Sequence, residues 1–259
     1  MGHERIGFLP KTKQWQAIIH QLEKYSGDPE AIWEIANDTL DCVRSSYKYI
    51  AYDESMVNAI RFLTTLCFSA NSDSQAEYLN HQGFSVDTDL SLFSLMKSAE
   101  KYIVTDIESL ETNKMVQDSV MQALVTYKQT HETEQLSFTG LGPENIWQQT
   151  GNGAAFCEIA RSFVAAFTDR QLRYYLERVA AGILSDYSQI VSFSRELTTQ
   201  TYAITSHTSD VSKLMQAYAA GWYNTYSTHA VPPDSDISRF LSMTFGKIKE
   251  EFRREAAKA

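Results

Sequence analysis

Helix breakers are scarce in this chain. It has five prolines and eleven glycines in 259 residues, with no proline between Pro29 and Pro143 and only Gly83 between Gly27 and Gly140. A second stretch, Asn152 to Val231, has no proline and three glycines: Gly153, Gly182 and Gly221. Proline costs a helix interior about 3 kcal/mol and glycine about 1 kcal/mol relative to alanine, so long tracts without either permit helices. Cysteine is also rare. Cys42, Cys67 and Cys157 are odd in number, far apart and set among apolar neighbours, with no CxxC pair. No secretory signal is recognised, and Met1-Gly2-His3-Glu4-Arg5-Ile6 lacks the Ser or Thr of a myristoylation sequence. The expectation is reduced thiols in a cytoplasmic compartment. Long apolar runs are missing too: Phe163-Val164-Ala165-Ala166-Phe167 is among the longest. A spanning helix needs about 20 such residues, so no transmembrane segment is expected.

What is present is apolar enough to build a core, at 43% hydrophobic residues, which argues against wholesale disorder. The formal charge is −9. Residues 1–130 carry 11 bases and 18 acids, and the remainder 12 and 14. A duplex-binding protein normally shows a basic face. Here only the last helix is rich in bases, so nucleic acid is not the expected partner.

The apolar spacing demands helices. Residues 1–10 read as an extended arm carrying Ile6, Phe8 and Leu9. Trp15, Ile18, Ile19 and Leu22 mark a helix over about 11–25. Asp28-Pro29 starts the next, to about Tyr49, since Asp accepts from free N–H groups and Pro is tolerated at the first helical position. Asp53 opens a helix to about Ser69, and Asp73 a short one ended by Gly83. Thr88 or Asp87 would cap a long helix that Asn113 breaks, followed by another over about 115–130. Residues 131–152 are the main irregular segment and the candidate boundary between an acidic N-terminal lobe, 1–130, and a C-terminal lobe, 153–259. Leu136, Phe138, Leu141, Ile146 and Trp147 favour a docked loop over a free tether. Asn152 can cap a helix to about 167. Thr168-Asp169-Arg170-Gln171 then matches a capping box. Further helices are expected at about 187–206 and 209–228, and a last one after Pro232-Pro233. The expected fold is all-α, an irregular bundle of eight to ten helices. Small pairs such as Ala180-Ala181-Gly182 and Ala219-Ala220-Gly221 read as tight packing between helices, or as a self-association face or a membrane-induced assembly.

No motif carries chemistry. Di-metal bundles need Glu-x-x-His, which does not occur. Glu77 and His81 are four apart on one short helix and read as a solvated face. The histidines never fall at paired zinc spacing, so no metal is expected. Glu30, Glu34, Asp38 and Asp41 line the second helix, yet Asn37-Asp38-Thr39-Leu40-Asp41 lacks the paired Asp of a magnesium-binding prenyl-diphosphate enzyme. No Arg is followed by four to six variable residues and then a His, as a class of helical endoribonucleases requires. Cys157, between Phe156 and Ile159, reads as core. Gly151-Asn152-Gly153 opens a helix but is no phosphate loop. No cofactor is expected.

The remaining signals concern association. The last helix pairs an apolar stripe, including Phe240, Phe245 and Phe252, with Lys249 and Arg253, and has five bases against three acids from Lys247 to Ala259. Tyr174-Tyr175 and Trp222-Tyr223 sit mid-helix, so one of each pair should face outward, and such aromatics are enriched at interface anchors. Phe240, Phe245, Lys249, Phe252, Arg253, Tyr174 and Trp222 are therefore the candidate partner-binding residues. The expected function is non-enzymatic: a helical interaction protein, a subunit of an oligomer or larger cytoplasmic complex, through a protein partner or self-association. The alternatives are a metal-dependent enzyme with an acidic helical site, and a triggered membrane-active effector making peripheral membrane contact.

Overall fold

A computed structural model describes residues 12–42, 50–105, 110–138, 146–184, 186–203, 209–226 and 231–258. Among them are ten α-helices, two short 3-10 turns and no strand. The chain is an all-α, irregular multi-helix bundle. The helices are α1 (Lys13–Glu23), α2 (Pro29–Cys42), α3 (Glu54–Ser69), α4 (Gln75–His81), α5 (Leu92–Ile103), α6 (Leu110–Phe138), α7 (Gly153–Ile183), α8 (Tyr187–Tyr202), α9 (Ser209–Tyr226) and α10 (Asp234–Ala256). No helix among the described residues is long and apolar enough to cross a membrane. The arm at 1–10 lies outside the described residues.

Contacts gather the described residues into two units, each drawn from separate stretches. One takes Met1–Ala51, Ala165–Ser212 and Leu241–Ala259; the other takes Tyr52–Val164 and Lys213–Phe240. Of the segment 131–152, expected to be irregular, residues 131–138 continue α6 and 146–150 form a 3-10 turn, while 139–145 lie outside the described residues.

The second unit is built on α3. Asp53 caps it, with Oδ1 accepting from the Met56 N–H at 3.1 Å, and nearly every residue from Ser55 to Ser69 is buried. Helices α4, α5 and α6 all pack on it. Helix α4 starts at Ser74 rather than Asp73, and Gly83 (φ +89°) turns the chain at its end. The N–H groups of Gly83 and Phe84 reach back to the carbonyls of Asn80 and Leu79 at 3.1 and 3.0 Å, closing a Schellman turn. That turn drops the Phe84 ring between Phe62 at 5.2 Å and Tyr102 at 4.5 Å. Across the same unit, the Phe156 ring of α7 stacks on Tyr223 of α9 at 5.3 Å, and Tyr223 meets Phe68 of α3 at 4.8 Å. Gly153 makes this approach possible: a Cβ there would stand 3.1 Å from the Ala220 Cα and 3.2 Å from its Cβ.

In the first unit, Thr12 caps α1, whose Trp15, Ile18 and Leu22 are buried. Helix α2 packs against α1 and α8, burying Ile32, Ile35, Ala36 and Leu40. Aromatic pairs join the segments: Trp15 with Tyr175, Tyr25 with Phe193, Trp33 with Phe252 and Phe167 with Phe245, at 5.3–6.3 Å between centroids.

Two expected helix ends are not there. Asn113 sits inside α6, where its Nδ2 donates to the Thr105 carbonyl at 2.9 Å. The amide thus ties α6 to the preceding loop instead of breaking the helix. The capping box at Thr168 does not interrupt α7, which runs unbroken from Gly153 to Ile183. Thr168 is fully buried, and with no Gly or Pro nearby nothing offsets the loss of helical hydrogen bonds that an interior cap would entail. The expected cap at Asn152 is present, accepting from the Ala155 N–H at 2.9 Å.

Two outcomes check this packing. Gly153→Val should lower stability by about 1–3 kcal/mol through overpacking, seen as a fall in the urea midpoint. Gly182→Ala, whose Cβ meets open space, should leave that midpoint unchanged or raise it. Cys67 and Cys157 are buried and Cys42 is partly exposed. Burial pushes the Cys67 thiol up to about 12, against the lowering effect of a hydrogen bond with Thr150. A thiol reagent should therefore label Cys42 in the native protein, and all three cysteines only in denaturant.

Candidate functional site: a cleft between α7 and α8

Within the first unit, the C-terminal part of α7 and the whole of α8 lie side by side, joined through Leu184 and Asp186. Asp186 caps α8: its Oδ1 accepts from the Ser188 N–H at 3.0 Å and its Oδ2 from the Ser188 hydroxyl at 2.6 Å. Those bonds hold the Asp186 carboxyl below its ordinary value. The two helices line an open cleft of about 600 Å³. The α7 wall is Arg173, Glu177 and Ala181, one turn apart; the α8 wall includes Tyr187, Val191, Ser194, Arg195 and Thr198, at the three- and four-residue spacing of one helical face.

The polar groups of the cleft are linked. Arg173 Nε donates to Glu177 Oε1 at 2.6 Å, and the Ser194 hydroxyl donates to the same oxygen at 2.5 Å. Glu177 therefore bridges the two helices. One turn before Arg173 on α7, Asp169 is only 4% exposed. Its Oδ2 is 3.9 Å from Arg173 Nη1, and its Oδ1 has no hydrogen-bond partner. Burial pushes the Asp169 carboxyl above its ordinary value, more than a hydrogen bond from Thr198 and the charges of Arg173 and Arg170 lower it. Burial likewise raises Tyr202, which the Asp169 charge raises further and Arg170 opposes.

The rim is different in character. Tyr187 is 79% and Val191 46% exposed. Arg195 is exposed and has no ion-pair partner among the described residues. These three stand four residues apart on α8, opposite the buried Phe193, Leu197 and Thr201.

The residues singled out in the sequence lie elsewhere. Phe240 and Trp222, in the second unit, stack on each other at 4.9 Å and are buried. Phe245 and Phe252, in the first, are buried against Phe167 and Trp33. Lys249 is ion-paired with Asp41. Arg253 is exposed. Tyr174 is half-buried beneath Arg178, whose Cζ lies 5.5 Å from the ring centroid. Of the acidic helix, Asp38 accepts from Gln21 at 2.9 Å, while Glu30 and Glu34 are exposed. Among the described residues, no three His, Cys, Asp or Glu side chains gather as a metal site. The α8 rim had a faint signal in the sequence: Tyr187, Ile190, Val191 and Phe193 put more apolar residues on two turns than a single buried stripe uses.

Comparison with family models, curated proteins and solved structures finds no match to this chain.

The raised Asp169 carboxyl has a sign that can be worked out. A folded-state value above the unfolded one means the native state holds the proton more tightly. That stabilisation is complete below the unfolded value and is lost as pH rises through the folded one. At neutral pH the ionised group is therefore a net cost. Asp169→Asn should raise the thermal midpoint at pH 7, and the gain should shrink toward pH 3, as melts across that range would record.

Proposed function

We propose that this chain is a non-enzymatic helical interaction protein that works as a subunit of a cytoplasmic assembly, with the rim of the α7–α8 cleft as its contact surface and a second copy of the chain as its partner. The observation that carries the reading is the exposed stripe Tyr187–Val191–Arg195. Equal spacing about Val191 makes it self-complementary. A two-fold axis through Val191 sets each Tyr187 ring against the Arg195 of the other copy, and the two Val191 side chains against each other. Arginine over an aromatic face contributes about 0.5–1 kcal/mol at exposed sites and more when desolvated. Asp186, the α8 cap, falls beside the same arginine and adds charge complementarity. Such an isologous contact is the commonest symmetry of soluble oligomers, and Tyr and Arg are the residue types enriched at interface anchors.

All three side chains project from a helix whose other face makes the core, so their replacement should leave the fold intact. Sedimentation velocity across 1–200 µM should detect a concentration-dependent dimer. Val191→Asp should shift the dissociation constant upward by at least tenfold, and Arg195→Glu, which meets Asp186 with like charge, by a similar factor. A chain that stays monomeric throughout, or a dimer indifferent to both changes, contradicts the reading.

A further inference from the structure

The second unit holds a separate cleft of about 630 Å³ beside the start of α5, within the size range of small-molecule sites. Its frame is fixed. Asn80 Oδ1 accepts from the Val86 N–H at 3.1 Å, while its Nδ2 donates to the carbonyls of Val86 and Ala76 at 3.1 and 2.9 Å. The Asp87 N–H donates to the Ser94 hydroxyl at 2.7 Å. These bonds clamp the loop after α4 onto α5, so the cleft is held open by structure rather than by chance packing.

Three features of its lining lack a use inside the fold. Lys97 and Lys101 stand one turn apart on α5, both exposed. Like charges at this spacing repel, and neither ammonium has a carboxylate within 4 Å among the described residues, although the surrounding half of the chain is rich in acids. Ser98, between them in sequence, is 4% exposed and its hydroxyl has no hydrogen-bond partner. A helical serine ordinarily satisfies itself on the carbonyl one turn back; Ser119 of α6 does so, at 2.6 Å. Phe93, four residues before Lys97, is 75% exposed. A phenylalanine left in water on the lining of a cleft is an apolar surface open to a flat group.

From this arrangement we infer that the cleft binds a small organic anion: a single phosphate or carboxylate head held by Lys97, Lys101 and the Ser98 hydroxyl, with a flat apolar body against Phe93. Asp87 and Glu100 on the same lining select against polyanions and so restrict the head to one anionic group. The site is distinct in place and chemistry from the α8 rim and stands or falls independently of it.

Calorimetric titration of the full chain with phenyl phosphate, benzoate and inorganic phosphate tests the assignment. Phenyl phosphate or benzoate should bind, and inorganic phosphate should bind at least tenfold more weakly than phenyl phosphate. The double variant Lys97→Gln, Lys101→Gln should weaken the aromatic anion at least tenfold, and Phe93→Ala should remove its advantage over inorganic phosphate. Ser98→Ala should weaken binding severalfold while leaving the ligand-free thermal midpoint unchanged or higher, because it deletes a buried hydroxyl that has no bond to lose. That pairing separates a ligand-binding role from a structural one. Absence of binding by both aromatic anions at millimolar concentration, or an affinity unmoved by the double lysine change, overturns the inference.

Discussion

A buried helix must satisfy its polar side chains, and the nearest acceptor is a carbonyl one turn back on the same helix. Helix α3 shows how this chain meets that condition. It is buried on nearly every side, yet its sequence is not uniformly apolar. The hydroxyls of Thr64, Thr65 and Ser69 each donate to a carbonyl of their own helix, at Ile60, Arg61 and Leu66, at 2.6–2.7 Å. A buried hydroxyl without a partner costs a helix more than its back-bond does. With those bonds made, α3 can act as the post on which α4, α5 and α6 rest. The aromatic contacts of Phe62 and Phe68 then fix what surrounds it. In the first unit, Thr39 of α2 makes the same back-bond to Ile35 at 2.7 Å.

Several buried polar atoms depart from that rule, and two of them stand at or next to the clefts. Asp169 has one carboxyl oxygen buried without a partner, and Ser98 a buried hydroxyl without one. Ser98 lines the cleft beside α5, and Asp169 stands one turn before Arg173, which lines the other. The two clefts differ in what their rims offer. That between α7 and α8 exposes a repeating tyrosine, valine and arginine suited to another helix. The one beside α5 exposes two cations and one phenyl ring suited to something small.

Much of the fold was legible in the sequence, because caps and breakers act locally. Asp53, Gly83 and Asn152 perform the roles their residue types suggest, since each acts through atoms within a few residues. Asn113 and Thr168 show where local reading fails. Asn113 spends its amide on Thr105 across a loop, and Thr168 is enclosed by neighbours the sequence does not name. The candidate contact surface was less legible for the same reason. An amphipathic stripe looks the same whether it packs within the chain or against another molecule. The stripe of α10 meets Phe156, Phe167 and Trp33 of its own chain, whereas Tyr187 and Val191 on α8 are left outside. Only the positions of the neighbouring helices distinguish the two cases.

The most direct measurement is oxidative cross-linking of Val191→Cys in a Cys42→Ser background, beside Met243→Cys, an equally exposed position on α10. A residue on a two-fold axis meets its own copy, and a disulfide forms only when the two Cα atoms approach to about 4.4–6.8 Å. Rapid formation of a covalent dimer by the 191 variant, with the 243 variant remaining monomeric, is the result expected of the α8 contact. Equal, slow cross-linking at both positions would contradict it.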